Sequence, residues 1–112
     1  MMYPESWRRK ADARFSAAIN ARGFCERCGS TETLTCAHLE RRRFYPTRWD
    51  PAAALCLCLP CHTWLDSERT AAEEWLETTI GAEARAAIRA KARGTEYPSR
   101  ADVLAGIAAV ES

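Results

Sequence analysis

No run of about 18 apolar residues occurs in the chain, so no segment predicts a transmembrane helix. The opening stretch MMYPESWRRKADARF is basic but has no apolar run after it, which argues against a secretory leader. The expectation is a cytoplasmic protein with no membrane partner. Repeats and low-complexity tracts are absent, and there are only two histidines, His38 and His62. Cysteine, by contrast, occurs six times. Disulfides are rare in a reducing compartment, so that many thiols in a short chain suggest a metal before they suggest cross-links.

At 112 residues, 47% of them apolar, the chain has room for one domain. Much of the apolar content is alanine, so the core is small and a metal staple would reinforce it. The net charge of +1 conceals an asymmetry. Residues 1–48 carry ten Lys or Arg against five acids, and residues 49–112 carry six against ten. The first half is suited to a polyanion and the second is not, although solvated faces would give the same counts.

Trp7, Ala11, Phe15 and Ile19 recur every four residues, predicting a helix over 5–22 that stops at Gly23. Leu34 to Leu39 reads as a strand and 40–51 as a long polar loop closed by Pro46 and Pro51. Ala54 to Cys58 reads as a second strand, with a helix opening near Pro60. Thr70 and Glu73 have capping-box spacing for a helix that carries Trp75, Leu76 and Ile80 and ends near Gly81. Residues 82–93 are strong helix formers, and Ser99 is placed to cap a last helix to about Val110. The chain thus divides into an N-terminal helix, a core over 24–80 and an Ala-rich helical tail over 82–112 in which no chemistry is evident.

The strongest motif is Cys25-x2-Cys28, then 29 residues, then Cys58-x2-Cys61. Each knuckle sets two sulfurs on one side of a turn, and two knuckles supply the four thiolates of a tetrahedral Zn2+. The alternative is four buried free thiols behaving as small hydrophobes. Cys36 and Cys56 fall outside the pairing, on strands, and read as core residues.

The segments CERCGS (25–30), TCAHLERRRFYPTRWDP (35–51) and ALCLCLPCH (54–62) resemble the HNH endonucleases, especially small phage and prophage members. The likeness covers about residues 24–76. It implies an α+β fold: a ββα-metal, treble-clef-like core with a structural zinc held by four cysteines, flanked by N- and C-terminal helices. It also implies that His38 is the general base that activates water for attack on a DNA phosphodiester. His62 would bind a catalytic divalent metal, Mg2+ or Mn2+, with Zn2+ or Ni2+ as further options. Asp66, four residues on and therefore on the same helical face, would be a second ligand.

Two positions depart from the family pattern. Ala53 stands where the family has its Asn, and Ala37 where many relatives carry a metal-binding Asp or His. Both changes bear on catalytic efficiency rather than on the fold. Arg41, Arg42, Arg43 and Arg48 follow the expected base, interleaved with Phe44, Tyr45 and Trp49, and predict phosphate contact. The reading is a DNA-nicking endonuclease, monomeric or weakly dimeric, with phage packaging or recombination proteins as conceivable partners. The alternative is a catalytically weak or inactive zinc-stapled module that binds DNA or protein.

Overall fold

The structure, a computed structural model, describes residues 2–111. Helix α1 (Glu5–Asn20) leads through the first knuckle into β1 (Leu34–His38). A short α2 (Tyr45–Arg48) and a 3-10 turn (Pro51–Ala53) precede β2 (Ala54–Cys58). Four helices follow: α3 (Leu59–Ser67), α4 (Arg69–Ile80), α5 (Ala82–Ala92) and α6 (Arg100–Val110). No helix among the described residues is long and apolar enough to cross a membrane.

The two strands pair antiparallel, with Leu34 opposite Cys58, Cys36 opposite Cys56 and His38 opposite Ala54. Every residue of β2 is buried. Its sequence ALCLC is continuously apolar because both faces of this small sheet are covered. Ala54 and Cys56 join Phe15 and Ile19 of α1, Val103 and Ile107 of α6, and Trp49 in one core cluster. Leu55 and Leu57, pointing the other way, join Leu65 of α3 and Ala72 and Leu76 of α4 in a second. The predicted core status of Cys56 holds, since it is fully buried, while Cys36 is only half-buried.

Most predicted elements lie within two residues of their expected bounds. Helix α1 ends at Asn20 rather than residue 22, and Gly23 turns the chain away at φ 86°. The expected loop over 40–51 contains helical structure instead. Pro46 pre-sets φ for the first turn of α2, and Pro51 does so for the 3-10 turn, where Asp50 caps by accepting from the Ala52 N–H at 3.0 Å. The expected capping box at Thr70 does not form. Helix α4 already starts at Arg69, with no side-chain cap, and the Glu73 carboxylate is drawn to Arg85 and Arg89. Ser99 does cap α6, accepting from the Asp102 N–H at 3.0 Å.

Candidate metal centre and adjoining cavity

The first knuckle is a tight turn in which the Gly29 N–H donates to the Cys25 carbonyl at 2.8 Å. Gly29 has φ 83°, a conformation that strains any residue with a Cβ. The Cys28 N–H points at Cys25 Sγ, 3.5 Å away. The Glu26 N–H donates to the Cys56 carbonyl at 2.8 Å, and the Glu26 carboxylate accepts from the Cys56 N–H at 2.6 Å. Those two bonds tie the turn to β2. The second knuckle spans the strand-to-helix junction: Cys58 ends β2 and Cys61 lies in the first turn of α3.

The four ligand sulfurs of Cys25, Cys28, Cys58 and Cys61 all lie within 4.8 Å of one another. Four sulfurs at about 2.3 Å from a tetrahedral ion stand about 3.8 Å apart. Cys28 Sγ and Cys58 Sγ are 3.6 Å apart. The cluster therefore fits a structural metal such as zinc, and no other group of three or more potential ligands is found among the described residues. Burial pushes the Cys25 thiol up, but N–H groups of Cys28, Cys58 and Arg27 outweigh it and bring it to about 6. The Cys61 N–H favours a thiolate at Cys58, yet burial and three neighbouring sulfurs push that thiol up to about 12. A divalent cation is what allows all four to ionise together. Arg27 adds a contact that the spacing did not suggest. Its guanidinium donates to Cys61 Sγ at 3.4 Å and lies 3.6 Å above the Trp64 ring, so a cation backs the sulfur cluster.

By joining the start of α3 to the first knuckle, the cluster fixes where His62 stands. Thr35 on β1 donates its hydroxyl to the Leu57 carbonyl at 2.7 Å. It can then only accept from His62 Nδ1, 2.9 Å away, which places the His62 proton on Nδ1. In the neutral ring Nε2 is then the unprotonated nitrogen, and it lies 3.6 Å from the Asp66 carboxylate. His62 Nε2 and Asp66 are thus adjacent and able to share a cation.

His38 stands at the far end of β1. Its Nε2 is 3.1 Å from the Arg48 carbonyl, which can only accept, so Nε2 carries the proton and Nδ1 is left as a base. Burial holds this imidazole below its ordinary pKa, outweighing the Arg48 carbonyl and Asp12, which act the other way. The ring is neutral near pH 7. Residue 53 is a buried alanine with no amide to offer, and the His38 ring is held by the Arg48 backbone carbonyl.

Both histidines line one cavity of about 490 Å3, together with Asp66, Arg41, Arg42 and Arg69. Cys36 lines it too, but burial pushes its thiol up to about 11, which makes it a poor nucleophile. Arg41, Arg42 and Arg43 are exposed. Arg48 differs from them. It grips Asp12 of α1 through two nitrogens at 3.0 and 2.6 Å, and its third donates to the Arg42 carbonyl at 3.0 Å. Trp49 donates to the same Asp12 at 2.8 Å. Arg48 therefore holds the loop that carries the carbonyl contacting His38, rather than offering a free guanidinium to phosphate.

Sequence reasoning missed the acidic and basic residues behind this loop. Glu40, nearly buried, accepts from Arg85 at 2.7 Å and from Arg93 at 2.8 Å. Glu73 accepts from Arg85 and Arg89 at 2.8 and 3.1 Å. The i, i+4 spacing of Arg85 and Arg89 on α5 and Arg93 at its C-cap was the available signal. Comparison with protein-family models, curated proteins and solved structures finds no match to the chain.

Proposed function

We propose that the chain is a metal-dependent DNA endonuclease of the HNH type, with Cys25, Cys28, Cys58 and Cys61 holding a structural zinc. What carries this reading is the presence of two histidines on one cavity, each with its proton assigned by a backbone or hydroxyl partner. His38 keeps Nδ1 bare as a base, and His62 keeps Nε2 bare beside Asp66.

In this mechanism Arg41 and Arg42 position the DNA backbone in the cavity. His38 Nδ1 takes a proton from a water, whose oxygen attacks the phosphorus as the bond to the 3′ oxygen breaks. The Arg48 carbonyl stabilises the imidazolium that results. His62 and Asp66 would hold the divalent metal, which when bound supplies charge stabilisation to the phosphate and the leaving oxygen.

Plasmid nicking tests this. The zinc-loaded protein is expected to nick supercoiled DNA with Mg2+ or Mn2+, and His38→Ala should lower the rate by about 100-fold or more with the melting temperature little changed. Retention of nicking by His38→Ala would remove His38 as the base.

One observation favours the second reading, a zinc-stapled binding module that does not cut. The catalytic metal would have two side-chain ligands only, because Ala37, where many relatives have a ligand, is an entirely buried methyl. That reading predicts a DNA mobility shift without nicking, indifferent to His38→Ala.

A further inference from the structure

A second, smaller recess of about 180 Å3 adjoins the first and shares Leu39, Glu40, Arg41, Arg69 and Glu73 with it. Six arginines line it: Arg41 and Arg43 from the loop after β1, Arg69 from the start of α4, and Arg85 and Arg89 of α5 with Arg93 just past its end. Only two carboxylates, Glu40 and Glu73, face them. We propose that this recess binds the phosphodiester backbone of DNA on one side of the cleavage site. The strand would then run from the His38–His62 cavity, past Arg41 and Arg69, to Arg43, Arg89 and Arg93. This rests on the endonuclease reading and adds a binding track supplied by the Ala-rich tail.

The cluster is organised in a way that a solvated helical face is not. Arg85 is buried, and all three of its guanidinium nitrogens donate to Glu40 or Glu73, so its charge is neutralised inside the protein. The same two carboxylates each hold one nitrogen of a second arginine, Arg93 through Nη1 and Arg89 through Nη2. Both guanidiniums are held at one nitrogen by a carboxylate, and the two side chains remain about half exposed, at 53% and 45%. Arg43 and Arg93 also lie 4.9 and 5.0 Å from the centroid of the Phe44 ring, which gives both a shared aromatic support. Arg41, Arg43 and Arg69 form no ion pair among the described residues. Two acids against six cations leave the recess strongly positive. Its volume suits a phosphate group with a few waters, each needing about 30 Å3. Guanidinium forks match phosphate oxygens bidentately.

The test is DNA binding by the zinc-loaded full chain, with no second metal added, measured by fluorescence anisotropy on a short duplex over a range of salt. The Arg89→Gln/Arg93→Gln variant is expected to lose about tenfold in affinity. Its plot of log K against log salt should become shallower by about 2, at about 0.9 per phosphate contact. Arg43→Gln breaks no ion pair and should flatten the slope by about 1, which keeps the test valid if the double variant melts early. Unchanged affinity and slope in Arg43→Gln and in a folded double variant would overturn the proposal, as would failure of the wild type to bind DNA. Nicking by the wild type is scored separately. Nicking with unchanged slopes removes the recess and leaves the nuclease, whereas reduced slopes without nicking remove the nuclease and leave the recess.

Discussion

Thr35 shows how much a single hydroxyl can decide. It is committed as a donor to the Leu57 carbonyl and therefore accepts from His62 Nδ1. If His62 and Asp66 hold Mn2+ as proposed, Thr35→Val should leave the ring free to turn and lower that affinity by about tenfold, read by calorimetry on the zinc-loaded protein. His38 makes a complementary prediction about pH. Its folded pKa lies below the unfolded one, so below the ordinary value of 6.5 the unfolded chain binds more protons. The stability it contributes is complete above about 6.5 and is lost as pH falls from there through the folded value. Melting temperatures measured from pH 7.5 to 5 should fall more steeply for wild type than for His38→Gln, and equal slopes would count against a buried neutral imidazole.

At the scale of elements, α5 is where composition misled most. Its sequence AEARAAIRAKA reads as a run of strong helix formers with no evident chemistry, yet Arg85 is buried between the loop after β1 and α4. Glu40 and Arg85 are 45 residues apart in sequence, a separation that no periodicity or local motif can encode. Arg85→Met should cost about 3 kcal/mol in denaturant unfolding, because it leaves Glu40 nearly buried with Arg93 alone. Arg89→Met, on an exposed pair, should cost less than about 1 kcal/mol. The strands, in contrast, were legible almost to the residue. An apolar run of five with turn residues on both sides leaves few choices, and β2 occupies Ala54–Cys58 as expected.

For the molecule as a whole, the sulfur cluster joins what the two core clusters leave separate. It clamps the turn after α1 to the junction of β2 and α3, close to where Leu34 of β1 pairs with Cys58. A chain of this size with an Ala-rich core has little stability to spare. Elemental analysis should find one zinc per chain. Cys58→Ser, or prolonged chelation, should lower the melting temperature by about 15 °C or more, or abolish the transition. A chelated protein that melts as before would show that the thiols are merely packed. Tyr3, Trp7, Tyr45 and Trp49 reinforce the first core cluster, with neighbouring ring centroids 4.7 to 5.8 Å apart. There they hold α2, and with it the Arg48 carbonyl, against α1.

The sequence alone determined the five longer helices, both strands and the four sulfur ligands, through local signals: apolar periodicity, composition and caps for the helices, a short apolar run for a buried strand, x2 for a knuckle. It also singled out His38 and His62. Only the tertiary structure decided what those rings can do. Their tautomers depend on a carbonyl from Arg48 and a hydroxyl from Thr35, one across a loop and one across a strand. Only the fold, likewise, turned Arg48 inward to Asp12 and gathered six arginines from three segments around one recess. Hydrogen bonds and ion pairs of this kind follow from which surfaces the core brings into contact, and a linear pattern of residues does not contain that information.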